Sequence, residues 1–112
     1  MHAVLITFTS EVDLPALAGP FDEYADALRD VPGLVSKTWL ADDDVLGGFH
    51  LFESAATAEE YLRGALLASV CASPAFGNFS IRHFDVLDGL SATTNGVGAR
   101  PALEHAAARS DR

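Results

Sequence analysis

The order in which strand-like and helix-like patterns follow one another is the feature that most restricts the fold of this chain. An apolar, β-branched run over Ala3–Thr9 predicts a strand. After a lead-in over 15–20 with a proline at each end, apolar residues fall at helical spacing over Phe21–Leu28. Pro32 and Gly33 then end the helix and turn the chain. The first third of the chain therefore predicts a strand, a helix and a turn.

The next part of the chain predicts a hairpin, a second helix and a final strand. Leu34–Leu40 and Val45–Phe52 are strand-like, and the short run of aspartates between them favours antiparallel pairing. Ser54 stands where an N-cap is expected, because its hydroxyl can satisfy free amides of the next turn. Apolar residues follow at helical spacing over 58–69, and Phe79–Leu87 predicts the fourth strand.

This β-α-β-β-α-β order is that of the ferredoxin-like α+β fold, a four-stranded antiparallel sheet with two helices on one face. We expect one such domain over residues 1–95, and a C-terminal tail over 96–112 that is flexible or forms a short helix. Two helices cover only one face of the sheet, and the strands carry apolar residues of both parities. A second copy of the sheet is the expected cover, which predicts a barrel-like homodimer with a cavity between the two sheets.

Composition excludes several classes of partner. Sixteen acidic against seven basic residues give a net charge of −9, so we expect no nucleic-acid binding and no binding to an anionic membrane. The apolar runs are far shorter than the ~20 residues that a membrane helix needs. The N-terminus lacks a basic segment typical of signal peptides, and Cys71 cannot form an internal disulfide, so the cytoplasm is the expected compartment. The four histidines lack metal-ligand spacing, so no metal site is expected.

Several short motifs, in order and with short gaps, resemble a known family. They are Pro32-Gly33-Leu34, Lys37-Thr38-Trp39, Gly47-Gly48-Phe49-His50-Leu51-Phe52, Ala58-x-x-Tyr61-Leu62 and Phe84-Asp85-Val86. Together they resemble the YdhR-like monooxygenases of the dimeric α+β barrel superfamily, over about residues 1–95. The resemblance implies a homodimer with a small-molecule pocket and likeness to cofactor-independent enzymes that oxidise polycyclic phenols. The superfamily also includes polyketide cyclases, isomerases, dehydratases and haem-degrading enzymes, and the family commonly has Tyr where His50 stands.

Strand parity selects the first candidate site residues. Gly48, His50 and Phe52 share one face of the third strand, and we expect the other face, with Phe49 and Leu51, to pack on the helices. Related haem-degrading enzymes place a pocket aromatic at the position of Phe52, which supports His50 and Phe52 as cavity residues. His50 is the first candidate for a general base or acid, because histidine titrates near neutrality. The alternative is a histidine satisfied by a hydrogen bond in the dimer interface.

The other candidates carry open alternatives. His83 is a second catalytic candidate, or an exposed histidine of an edge strand. Trp39 could stack on a flat substrate, or pack in a core or interface. Gly48 favours a bulge or the close approach of a ligand. Thr7 could point its hydroxyl into the cavity, and Tyr24 lies on an apolar helix face with its hydroxyl reaching the rim.

The expected function is that of a small-molecule enzyme without a bound cofactor. His50 would remove a proton from a phenol or an activated carbon, Trp39 and Phe52 would hold the ring, and the anion would react with oxygen directly. A polyketide cyclase, isomerase or dehydratase would use the same base without oxygen. A non-catalytic dimer that binds a small apolar ligand or a partner protein is the other alternative. Haem binding is disfavoured, because residues 69–73 contain no histidine as an axial ligand.

Overall fold

A computed structural model of the chain describes residues 1–96. The elements in chain order are β1 His2–Ser10, a 3₁₀ helix Leu14–Leu17, α1 Ala18–Leu28, β2 Leu34–Asp42, β3 Val45–Phe52, α2 Ala55–Arg63, α3 Ala65–Cys71, β4 Phe76–Asp85 and α4 Asp88–Thr93. The strands form one antiparallel sheet in the order β2-β3-β1-β4. The predicted ferredoxin-like α+β fold is therefore confirmed. The predicted tail, apart from its first residue, lies outside the described residues.

The helices depart from the predicted bounds at breaker residues. Helix α1 begins at Ala18 rather than Phe21, because Pro20 falls in the first turn, where the missing N–H costs no hydrogen bond. Gly64 adopts extended backbone and divides the predicted second helix into α2 and α3. Ser54 caps α2 as predicted, since its hydroxyl accepts the Thr57 N–H at 3.2 Å. No described helix is long and apolar enough to span a bilayer.

The turn at Gly33 fixes the start of β2 against the start of α2. Gly33 has φ +78°, a conformation that L side chains rarely adopt, and a Cβ there would lie 2.5 Å from the Thr57 side chain. The Gly33 carbonyl accepts the Glu53 N–H at 2.8 Å. The glycine predicted to turn the chain thus also allows the start of α2 to approach this turn closely.

Cross-strand register shows which face of the sheet the helices cover. Val4 of β1 lies opposite His50 of β3, and Ile6 lies opposite Gly48. Val4 and Ile6 are buried in the core that the sheet forms with Leu28 of α1 and with α2 and α3. Directly opposed residues of paired strands share a face, so Gly48 and His50 face the helices.

The predicted orientation of β3 is therefore wrong. Phe52 is fully buried in the core under the helices, whereas Phe49, predicted to pack on them, lies on the opposite face and is 40% exposed. The reason is long-range, because the helices dock on the face that carries Val4 and Ile6 of the central strand β1. On the outer face, Val45, Phe49 and Phe84 are all more than one-third exposed.

Candidate functional site

A cavity of about 390 Å³ lies between the sheet and the helices of the same chain. Strands β1, β2 and β3 contribute its floor, and α1, α2 and α3 contribute the opposite wall. Most of the lining is apolar, and the polar side chains in it come from Asp22, Tyr24, Lys37, His50 and Tyr61. This position differs from the predicted cavity between two sheets. It follows from the orientation of β3, which points His50 toward the helices.

His50 presents an unused basic nitrogen at this cavity. Its side chain is 1% exposed, and Nδ1 lies 3.2 Å from the carbonyl oxygen of Val4. A carbonyl oxygen only accepts hydrogen bonds, so Nδ1 carries the proton and donates it. Nε2 then keeps a free lone pair, and it has no hydrogen-bond partner among the described residues. The arrangement leaves a neutral imidazole, lining the cavity, whose acceptor nitrogen is buried and unpaired among the described residues.

The surroundings of His50 keep it neutral. Burial, together with the charge of nearby Lys37, lowers the pKa of His50 to about 4, against smaller opposing effects of the Val4 and Gly48 backbone. The imidazole is therefore a proton acceptor, not a proton donor, over the physiological pH range.

Two aromatic rings hold the imidazole in place. The Phe52 ring is nearly parallel to the His50 ring, with centroids 6.3 Å apart, and the Tyr61 centroid lies 5.6 Å away. Phe52 is fully buried and does not line the cavity. Phe52 was expected to contact the substrate, but its buried position prevents this. It packs against His50 within the core and supports the imidazole ring.

Lys37 brings a cation into the cavity. Its Nζ lies 3.6 Å from the centroid of the Trp39 ring and 5.1 Å from that of Tyr24. No carboxylate within residues 1–96 forms an ion pair with it. Burial lowers the pKa of Lys37 to about 8, so the ammonium form still predominates at neutral pH. Aromatic faces, not a counter-ion, hold this charge.

Gly48 and Trp39 line the cavity, and both lie against the Lys37 side chain. A Cβ on Gly48 would collide with Cε of Lys37, so the lysine chain occupies the space that was expected to admit a ligand. Trp39 has the Lys37 ammonium against its ring and Phe21 at a centroid distance of 5.2 Å. Trp39 thus contacts the lysine and remains 39% exposed.

Tyr24 and Tyr61 add a pair of hydroxyls. Their oxygens lie 2.6 Å apart, and both residues line the cavity. Burial is the largest cause that raises the pKa of Tyr24 and the pKa of Tyr61. Both phenols are protonated at neutral pH, so the pair can donate one hydrogen bond beyond the one between them.

Two predicted site residues lie outside the cavity. Thr7 pairs with Gly47 and Ser80 on the face of the sheet away from the helices. His83 lies on β4, where its Nδ1 is 2.8 Å from Nε2 of His2. The structure therefore brings His50, Trp39, Gly48 and Tyr24 together and leaves His83 and Thr7 apart. Thr7 points away from the cavity because side chains alternate between the two faces of a strand. His83 lies apart from His50 because strand β1 lies between β3 and β4.

Lys37 and Tyr61 are the residues that sequence reasoning missed. Lys37 and Trp39 are two residues apart in one strand and therefore share a face. The alternation that made Trp39 a candidate could have identified Lys37 as well. Tyr61 lies at helical spacing with apolar residues and was therefore interpreted as core. Among residues 1–96, no three or more His, Cys, Asp or Glu side chains are placed to hold a metal ion.

The chain is similar to one family of known sequences and to several solved structures. The family described as "Putative mono-oxygenase ydhR" matches residues 4–97. SnoaB, a cofactor-independent oxygenase from Streptomyces nogalater, is 17% identical with a TM-score of 0.63, over 76% of this chain and 91% of SnoaB. A protein of unknown function from Nitrosomonas europaea is 19% identical with a TM-score of 0.59, over 77% and 88% of the two chains.

A third similar structure is an antibiotic biosynthesis monooxygenase, 8% identical with a TM-score of 0.64, over 78% of this chain and 99% of that one. At these identities the likeness to solved structures establishes the fold alone. No curated protein matches the chain.

Proposed function

The chain belongs to the ydhR mono-oxygenase family, and from that premise we propose that it is a small-molecule monooxygenase that uses no bound cofactor. Its substrates are aromatic or polyketide-like compounds with an acidic hydroxyl or an activated carbon. The observation that carries the proposal is the free Nε2 of His50, a buried neutral base at the wall of an apolar cavity. The cavity volume of about 390 Å³ falls in the range of about 300–1,000 Å³ that small-molecule sites occupy.

The proposed reaction begins with proton transfer to His50. A phenol or an activated C–H group, placed against Nε2, gives its proton to the imidazole and becomes an electron-rich anion. That anion donates electrons to O₂, a C–O bond forms at the activated carbon, and the peroxide takes back the proton from His50, which restores the neutral base. Loss of water from the resulting hydroperoxide leaves a carbonyl, so one oxygen atom enters the product and the other leaves as water. Four electrons come from substrate oxidation, and no external reductant is required.

The protein supplies positioning and exclusion of water in this reaction. Ile6, Phe8 and Leu46 form part of an apolar lining, in which charge–charge and hydrogen-bond interactions are stronger than in water. The Tyr24 hydroxyl can donate to an oxygen of the substrate. His50 is held by Val4 and Phe52, so its basic nitrogen needs no rearrangement before it accepts a proton.

Oxygen uptake on fused-ring phenols and anthrone-type compounds tests the proposal. The purified, metal-free protein should consume oxygen in proportion to product, and ¹⁸O₂ should label one oxygen atom per product molecule. His50→Gln should remove this activity. Conversion of the substrate under nitrogen, with no uptake of oxygen, would instead assign cyclase, isomerase or dehydratase chemistry to the same base. Binding without conversion in either atmosphere would leave a non-catalytic ligand-binding protein.

We also propose that the outer face of the sheet pairs with a second copy of the chain. Val45, Phe49 and Phe84 expose 38–40% of their surface on that face, and exposed apolar clusters of this kind are typical of interaction surfaces. Phe49→Lys should place a charge in the middle of this face and give a monomer in analytical ultracentrifugation. Glu53→Gln changes the net charge by the same single positive unit outside the strands and should leave the dimer intact. A monomeric wild-type protein would contradict this proposal.

A further inference from the structure

We propose that Lys37 forms an oxyanion-binding subsite, so that the cavity selects substrates with an ionisable enol or phenol oxygen and holds that oxygen as an anion beside the ammonium group. This inference deepens the proposed function and rests on it for the substrate class. The anion subsite itself can be tested without turnover.

The first support is that the charge of Lys37 is not neutralised. No carboxylate of residues 1–96 pairs with Lys37, and Asp22, which also lines the cavity, forms no ion pair with it. Lys37 is half-buried, and partial desolvation disfavours a charge that has no counter-ion. A ligand can supply the missing negative charge, and a half-buried lysine in a cavity otherwise lined mostly by apolar groups fits that case.

The second support is the way the side chain is held. The Trp39 ring lies against Nζ at 3.6 Å, and the Tyr24 ring lies 5.1 Å away. Aromatic faces attract a cation but do not neutralise it. Gly48 leaves the space through which the lysine chain passes, because a Cβ there would collide with Cε. These three residues aim the ammonium into the cavity and leave its charge available.

The third support is the position of the base beside the cation. Lys37 and His50 are directly opposed across β2 and β3, so their Cβ atoms are ~5 Å apart on the helix-facing side. A hydroxyl placed against Nε2 of His50 can transfer its proton there, which leaves a negative oxygen within reach of the ammonium. The charge of Lys37 lowers the pKa of His50. An anion that offsets this charge therefore makes His50 a stronger base in the complex than in the free protein.

The experiment uses 4-nitro-1-naphthol, a fused-ring phenol whose anion absorbs at longer wavelength than the neutral form. The probe is titrated with pH under nitrogen, free and bound to the wild-type protein. An opposite charge at this range typically shifts an ionisation by one unit or more, so we expect the bound probe to ionise at least tenfold more readily than the free one. Binding of only the neutral form, or failure to bind the anion at millimolar concentration, overturns the subsite.

Three variants separate this inference from the proposed function. Lys37→Met removes the charge at similar length and should abolish the ionisation shift. Gly48→Ala keeps the lysine but displaces its side chain, so the shift should shrink. His50→Gln keeps Lys37 and should bind the ionised probe, although it loses oxygen uptake. An equal shift in wild type and Lys37→Met refutes the anion subsite, whereas oxygen uptake decides the proposed function independently.

Discussion

Nζ of Lys37 lies 3.6 Å from the centroid of the Trp39 ring, and no carboxylate of residues 1–96 pairs with it. Trp39 is 39% exposed, and a cation–π contact at a site of this exposure is worth about 0.5–1 kcal/mol. The lowered pKa of Lys37 shows that burial still disfavours the charged form. The pair therefore holds the lysine at a net cost to the stability of the fold, and this cost can be measured.

Lys37→Met should stabilise the protein at pH 7. The folded-state pKa of Lys37 is about 8, against an ordinary value of 10.5, so below pH 8 the folded state carries the full penalty of the buried charge. We expect a gain of roughly 1–3 kcal/mol in the free energy of unfolding, measured by urea denaturation. The gain should decrease above pH 8 and vanish above 10.5, where the lysine is neutral in both states.

The control for this variant is Arg29→Met, which removes an exposed cation of α1. Exposed substitutions usually change stability by less than about 0.5 kcal/mol. A loss of stability in Lys37→Met, or an equal effect of the two variants, would contradict the cost that we assign to Lys37.

His50 should make stability depend on pH on the acid side. Its pKa is lowered from 6.5 to about 4 in the folded protein, so between these values the unfolded state binds more protons. The contribution of neutral His50 to the free energy of unfolding is therefore fully present above pH 6.5, and it is lost as the pH falls toward 4. The loss is on the order of 3 kcal/mol. Urea denaturation at pH 7, 5.5 and 4 should show a steeper decline for the wild type than for His50→Gln, and parallel declines would refute the assignment.

The two histidines named by the sequence should differ in kinetics. His50→Gln removes the free basic nitrogen from the cavity and should lower kcat by roughly 10²–10⁴-fold. His83→Gln changes a residue at the edge strand β4 that contacts His2, outside the cavity, and should change kcat by less than about twofold by the same argument. Steady-state oxygen uptake on one substrate measures both. A large decrease in kcat for a correctly folded His83→Gln variant would contradict this prediction and indicate that His83 takes part in the reaction.

The tyrosine pair should respond asymmetrically to loss of a hydroxyl. Tyr24→Phe leaves the hydroxyl of Tyr61, a residue only 5% exposed, without its partner at 2.6 Å, which should cost roughly 1–3 kcal/mol. Tyr61→Phe leaves the Tyr24 hydroxyl at the cavity wall, where water can reach it, and should cost about 1 kcal/mol or less. Thermal unfolding of the two variants gives the comparison, and the reverse order would contradict it.

Part of the site could be predicted because strand parity is a local property. The alternation of Gly48, His50 and Phe52 placed these residues on one face, and the structure keeps them there. Which face the helices cover could not be predicted from β3 alone, since both of its faces are apolar. The burial of Val4 and Ile6 on the neighbouring strand decided it.

By itself, the sequence determined the order of the elements, because turn residues and apolar periodicity act over a few neighbouring positions. Ser54 and Gly33 are capping and turn signals of this kind. Only the tertiary structure decided that the cavity lies under the helices, and that Lys37, Tyr24 and His50 meet there. Those contacts depend on cross-strand register and helix docking, which join segments far apart in the chain.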